Sequence, residues 1–383
     1  MLSIDGFAAH YLQMYQPKNI QALAKKGVVS RGLEPSFPTK TFPNHLTLVT
    51  GKVPFEHGIV LNRFYDKKAN DIYKYGKSKT KHQWLKAPPI WTLLEQRNIP
   101  TAIYFWPESE NSYQGKLPTY YKKYNDNTSN QERFDQMFKW LKMSGKSKPK
   151  LILGYFSSID SAGHHYGRNS PELAHAIYTL DKQLGEFVDN ISTLTNTPVN
   201  IILVSDHGMV QTKPENIVIP KNIVPEWMFE EFKVIFDSTQ VFIYGNDQIL
   251  LNKAYKELSS AHANHLKNRL SYDIFNKNNF PEYWKIDGEN SFSPDIVLSA
   301  IPPSSFNKNE HSNMVETHGF ETKYTTDLNG LFIAYGPSFK SHQQLPVFNN
   351  TAVFSMLSRI FALTPEDKAK EYSQILNKVF QNK

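Results

Sequence analysis

Short continuous apolar runs alternate along the chain with longer stretches of helical periodicity. LSI at 2–4 predicts a strand, NIQALAKKG a helix closed by Gly27, and VVSRGL a second strand. Residues 44–50 and IWTLLEQRN at 90–98 predict helices, TAIYFW at 101–106 a strand, and QERFDQMFKWLKM an amphipathic helix. The unbroken runs LILGYF at 151–156 and VNIILV at 199–204 have the character of parallel strands buried on both faces, with the helical stretch PELAHAIYTLDKQLGEFVDNI between them. This rhythm predicts an α/β fold whose largely parallel central sheet carries helices on both faces.

From about residue 212 to 300 the alternation loosens. VIFDSTQVFIYG predicts a hairpin, LLNKAYKELSSAHANHLKNRL a long helix, and SPDIVLSAIPP another strand. We read 212–300 as a smaller α+β insertion and 1–211 and 301–383 as the two parts of the α/β core. LFIAYGP at 331–337 resumes the sheet, and AVFSMLSRIFAL closes the core with a helix.

Composition narrows the chemistry. Of 383 residues, 40% are apolar and 13% aromatic, enough for a large core and against disorder. The net charge of +7 is modest, and the short clusters KSKTK at 77–81 and KSKPK at 146–150 read as solvated loop lysines. No specific nucleic-acid partner is expected. The absence of cysteine excludes disulfides and thiolate zinc sites and leaves His, Asp and Glu as metal ligands. No stretch reaches the roughly 18 apolar residues of a membrane span. MLSIDG enters a strand almost at once, as though the chain were cut inside it. A periplasmic or extracellular protein whose signal segment is missing here is the expectation, and a cytoplasmic one if Met1 is the native start.

Ligands of an open parallel sheet gather beyond the carboxyl ends of its strands. The first strand runs into Asp5, LILGYFSS into Asp160 with His164 four residues on, and VNIILVS into Asp206 and His207; ETHGF presents His318 just before the last strand. Singly, Asp5 reads as a turn residue, Asp206-His207-Gly208 as a strand-ending loop and His318-Gly319 as a structural pair. Their coincidence on one rim suits two zinc ions, each with three protein ligands and an open position. Manganese or another divalent cation is an alternative, because oxygen and imidazole serve both. Two such ions roughly 4 Å apart form a clamp for displacement at phosphorus. That gives meaning to TKTFPNH at 39–45, where Thr41 otherwise reads as a residue that starts or caps a helix: a metal-bound threonine can be an alkoxide at neutral pH.

In order and spacing, SIDGF (3–7), PTKTFPNHLTLVTG (38–51), EHGIV (56–60), YFWPESE (104–110), DSAGHHYG (160–167), SDHGM (205–209) and THGF (317–320) resemble the nucleotide pyrophosphatase/phosphodiesterase family of the alkaline phosphatase superfamily over nearly the whole chain. The resemblance implies an alkaline phosphatase-like fold. It implies that Asp5, Asp206 and His207 hold the zinc that activates Thr41, itself a ligand, and that Asp160, His164 and His318 hold the second. It implies a phosphothreonine intermediate, a donor to the phosphoryl oxygen in Asn62, and a nucleobase slot between Phe42 and Tyr124. The amide of Phe42 is close enough in sequence to assist, and Pro43 would set the anion at the positive end of a helix. Glu108, where glycine is common, and Ser157-Ser158, where acidic residues are, depart from the family pattern.

Other residues are set aside. His45 reads as packing its helix, His57 as a turn residue, and His165 lacks the D-x-x-x-H spacing to Asp160. Lys40 reads equally as an electrostatic aid or as an exposed lysine. The substrate expected is a small nucleotide phosphodiester or phosphoanhydride. A choline- or lysophospholipid-type phosphodiesterase and a phosphonoacetate hydrolase would use the same metal site. A sulfatase is excluded because S-F-P-T-K at 36–40 lacks the arginine of C/S-x-P-x-R. No motif supplies a phosphomonoesterase's extra cation, and a non-catalytic binding module would leave an intact site without use.

Overall fold

The strand Leu2–Ile4 lies inside an eight-stranded sheet, paired in parallel with Leu151–Phe156 on one side and Ile201–Val204 on the other. The computed structural model describes residues 1–75, 84–194, 198–265, 271–309, 314–363 and 372–381; KSKTK at 77–81 and the end of the helix predicted to 270 fall outside them. Thr101–Tyr104 and Tyr120–Lys122 extend the parallel run beyond Leu151–Phe156. On the other side Phe332–Tyr335 runs antiparallel to both Ile201–Val204 and Val28–Ser30, and Gln343–Leu345 closes that edge in parallel with Val28–Ser30. The sheet is therefore largely parallel.

Alternate side chains of its strands feed two cores, as the two-residue period of a strand requires. Ile103, Leu153, Ile202 and Phe332 pack with Leu46, Trp91 and Val353 on one face. Ala102, Tyr104, Leu203 and Ile333 pack with Ile20, Phe134, Leu173 and Leu184 on the other. Helices Thr41–Thr50, Ile90–Glu95 and Ala352–Ile360 thus cover the first face, and Lys18–Lys26, Asn130–Lys142 and Pro171–Ser192 the second.

Several predicted elements are shorter, longer or divided. VVSRGL is two strands, Val28–Ser30 and Leu33–Glu34, because the chain turns at Arg31-Gly32 and Leu33–Glu34 pairs with Phe348–Asn349. VNIILV keeps only Ile201–Val204 in the ladder; the Asn200 side-chain amide instead donates through Nδ2 to Ser338 Oγ and accepts through Oδ1 from Ser338 N. TAIYFW ends at Tyr104, since Phe105 turns into the left-handed region at φ 66°. The helix at 90–98 stops at Glu95. The helix expected at 44–50 begins earlier, at Thr41, with Pro43 in the first turn where no N–H is needed. Gly51 ends it at φ 66°.

Beyond residue 211 a second, antiparallel sheet forms in the order Lys233–Phe236, Gln240–Tyr244, Ile296–Ala300, Tyr272–Asn276. Its first two strands are the predicted hairpin. Val241, Ile243, Leu298 and Ala300 pack there with Leu251, Ala254 and Leu258 of the helix Gln248–His265.

Candidate metal centre and nucleophile

Asp5, Asp206 and His207 sit just past strands of the central sheet, and a helix and a short outlying strand bring the other candidates to the same rim. Asp5 follows Leu2–Ile4 and donates its amide to Phe156 O at 2.9 Å. Asp206 and His207 follow Ile201–Val204. Asp160 and His164 stand one turn apart on the helix Ser158–Tyr166, and His318 follows the short strand Glu316–Thr317.

All six converge. His207 Nε2 lies 3.1 Å from Asp206 Oδ2 and 3.4 Å from Asp5 Oδ1. Asp160 Oδ1 lies 3.4 Å from His164 Nε2 and 3.8 Å from His318 Nε2. Ligand atoms of Asp5, Asp206 and His207 fall within 4.8 Å of one another, and so do those of Asp160, His207 and His318. Thr41 Oγ is 3.3 Å from His207 Nε2, so the threonine at the head of its helix abuts the first group.

The donor set fits divalent cations. Asp5 Oδ1, Asp160 Oδ1 and both carboxylate oxygens of Asp206 are shielded from solvent yet carry no hydrogen bond. Such groups are costly unless a cation meets them. Burial, with the charges of Asp206 and Asp160, pushes the Asp5 carboxyl well above the usual carboxylate range. Burial also drives the His318 imidazole well below its ordinary pKa, helped by His207, Lys40 and His164, which keeps it neutral as a ligand must be. The ring orientations agree. Nδ1 of His164 donates to Glu316 O (2.8 Å), that of His318 to Thr39 O (2.8 Å) and that of His207 to Gly208 O (3.0 Å), which leaves each Nε2 lone pair toward the centre.

His45 stands behind this layer rather than in it. Its Nε2 pairs with Ser3 Oγ and its Nδ1 with Thr41 O, both at 2.8 Å, while Asp206 Oδ2 is 3.3 Å away. His57 is no exposed turn residue. It is fully buried, with Nε2 donating to Pro43 O at 3.0 Å and Nδ1 accepting from Ile59 N at 3.2 Å. Lys40 is not exposed either: at 4% accessibility its ammonium meets His318 O at 3.0 Å, Ser238 Oγ at 3.1 Å and Asp237 Oδ2 at 3.3 Å.

A cavity of about 520 Å³ opens over Thr41, Asp160, His164 and His318, and both Phe42 and Tyr124 line it with Asn62. Phe42 N donates to Asn62 Oδ1 at 3.1 Å. Tyr124 is 47% exposed and its hydroxyl bonds Asp126 at 2.5 Å. Two further rings, Tyr75 and Phe105, share the wall: Tyr75 lies 5.5 Å from Phe42 and Phe105 lies 5.1 Å from Tyr124, centroid to centroid. Tyr75 has no signature in the sequence, and Phe105 lies inside YFWPESE with no role read for it there.

Residues 1–321 match the family model described as type I phosphodiesterase / nucleotide pyrophosphatase. An uncharacterized pyrophosphatase/phosphodiesterase of Schizosaccharomyces pombe is 31% identical over 98% of this chain and 79% of its own length. Ectonucleotide pyrophosphatase/phosphodiesterase family member 3 of Bos taurus is also 31% identical, over 95% of this chain, which spans only 42% of that protein. Among solved structures, human ectonucleotide pyrophosphatase / phosphodiesterase 5 superposes with a TM-score of 0.87 at 26% identity, covering 99% of this chain and 98% of its own. An inactive threonine-to-alanine form of the murine counterpart, in complex with AMP, superposes at 0.86 with 25% identity over the same shares. Among the described residues no helix is long and apolar enough to cross a membrane.

Proposed function

The chain belongs to the type I phosphodiesterase/nucleotide pyrophosphatase family, and we propose that it is a two-zinc hydrolase of nucleotide phosphodiester and phosphoanhydride bonds that releases 5′-nucleotides. The observation that carries this is the set of buried, unbonded oxygens of Asp5, Asp160 and Asp206, converging with three oriented imidazoles beside the Thr41 hydroxyl. Asp5, Asp206, His207 and Thr41 would hold one cation and Asp160, His164 and His318 the other. Bound there, the cations would supply Lewis acidity to the threonine hydroxyl and to the departing oxygen.

The chain's own part follows from its geometry. Thr41 is the first residue of its helix, so an anion at its Oγ meets the positive end of the peptide dipoles. Having lost its proton, Oγ attacks phosphorus, the bond to the leaving oxygen breaks, and a nucleotidyl-threonine forms. Water hydrolyses that ester, returning Thr41 and releasing the 5′-nucleotide. Asn62 holds the Phe42 amide through Oδ1, which leaves its Nδ2 group to donate to a non-bridging phosphoryl oxygen. Phe42 and Tyr124 would take the base between them, a contact tolerant of base identity. The AMP bound to the murine neighbour supports a nucleotide in this cavity.

We also infer a periplasmic or extracellular setting, by likeness to relatives named as ectonucleotide enzymes; fractionation of cells that make the native protein tests it. The substrate test is hydrolysis of p-nitrophenyl thymidine 5′-monophosphate beside p-nitrophenyl phosphocholine and p-nitrophenyl phosphate, each with zinc and with a chelator. Zinc-dependent preference for the nucleotide ester is expected. A preference for the choline ester would overturn the nucleobase slot and keep the metal chemistry.

A further inference from the structure

Arg168 is not among the residues lining the substrate cavity, yet its guanidinium ties together the segments that carry all three histidine ligands. It follows the helix Ser158–Tyr166, four residues after His164. Its Nε donates to Glu316 Oε1 at 2.5 Å, its Nη1 to Asp327 Oδ2 at 2.7 Å and its Nη2 to Met209 O at 2.9 Å. Met209 is two residues past His207, and Glu316 is two residues before His318. Glu316 also provides the carbonyl that orients the His164 ring. Asp327 backs the remaining side: its carbonyl oxygen would lie 2.0 Å from a Cβ placed on Gly208, and Gly208 N donates to Leu328 O at 2.7 Å.

Glu316 is fully buried, so its carboxylate is tolerable only with a directed cationic partner. A planar fork can satisfy Glu316, Asp327 and the Met209 carbonyl together, which a point charge cannot. We propose that Arg168 is a positioning residue that holds His164, His207 and His318 at the spacing needed to bind cations. The inference rests on the two-cation reading above. Its chief consequence falls on the group of Asp160, His164 and His318, because two of its three ligands hang on Arg168 and Glu316.

The test compares the full-length wild type, R168M and R168K, stripped of metal and titrated with zinc against a competing chelator. Thermal unfolding of the stripped proteins and kcat and KM on p-nitrophenyl thymidine 5′-monophosphate are read alongside. Loss of a partner bonded directly to a ligand typically costs about 10–100-fold in metal affinity, and Arg168 acts one residue further out, so the low end of about 10-fold is expected. R168M is expected to lose that much at one of two zinc sites, with kcat lowered and KM little changed, and R168K to recover part of it. An ion pair with a purely structural role would lower the unfolding temperature alone. Folded R168M with both zinc affinities within about twofold of wild type therefore overturns the proposal. Should R168M not fold, E316Q keeps the side-chain shape and the carbonyl to His164; weakened zinc binding supports the proposal and unchanged binding overturns it. A wild-type chain that takes up no zinc overturns the two-cation reading and this inference with it, whereas unchanged variants overturn this inference alone.

Discussion

The imidazoles of His207 and His318 stack face to face, with centroids 3.5 Å apart and planes 14° from parallel. Each ring keeps Nδ1 bonded to a main-chain carbonyl, so the two ligand groups share a wall of oriented, mutually packed donors. His318 falls in one of the two groups and His207 in both, so removing the His318 ring should empty one group and spare the other. His318→Ala is expected to retain one zinc per chain against two expected in the wild type, and to lose at least about 100-fold in kcat, the usual scale for removing one transition-state stabiliser. Metal content by mass spectrometry and steady-state rates check it; two retained ions would refute the assignment of His318.

Lys40 anchors the His318 loop from below through His318 O, with Asp237 balancing its charge. Lys40→Met leaves the His318 carbonyl only the longer bond from the Thr239 hydroxyl at 3.3 Å and takes the ammonium from the Asp237 carboxylate. A loss of about 1–3 kcal/mol is expected in denaturant unfolding of the zinc-free protein. An unchanged midpoint would mean that the lysine holds nothing in place.

Much of this site was legible because strand ends are marked twice, by the stop of an apolar run and by the polar residue that follows. Asp5, Asp206 and His207 each stand at such a step, and Asp160 lies on the helix that follows Leu151–Phe156, where its four-residue spacing to His164 is one helical turn. Burial of a charge is different, since it depends on partners far away in sequence. The sequence leaves Lys40 open between an electrostatic aid and an exposed lysine because Asp237 and Ser238, its partners, lie nearly 200 residues on. Tyr75 reaches the cavity from the short hairpin of Arg63–Asp66 and Asp71–Lys74, whose polar strands carry no clear alternation. The break of VVSRGL at Gly32 reflects its packing against Asn329, another distant contact.

His57 gives a pH signature of its own. Burial lowers its pKa from an ordinary 6.5 to about 3, against the pull of its bond to Pro43 O. Between those values only the unfolded chain binds the proton, so stability falls as pH drops below about 6.5 and levels off near 3. The slope from this one group is at most about 1.4 kcal/mol per pH unit. Unfolding of the zinc-free protein from pH 7 to 5 should show a shallower decline in His57→Gln than in the wild type. Identical slopes would contradict the sign and the group.

Tyr124 is half exposed on the cavity wall, where it should act on binding rather than on bond breaking. Tyr124→Ala is expected to lose about 1–3 kcal/mol of base stacking, seen as a higher KM for the nucleotide ester with kcat nearly kept. The phosphocholine ester should be indifferent to the change. Equal losses on both esters would remove the base from this wall.

If Thr41 is the nucleophile of a two-cation site, turnover and metal content part company in Thr41→Ala. Asp5, Asp206 and His207 remain to hold the adjacent ion. Thr41→Ala is expected to hold two zinc ions per chain and to show no measurable hydrolysis of p-nitrophenyl thymidine 5′-monophosphate. A variant that keeps both ions and most of its activity would contradict it.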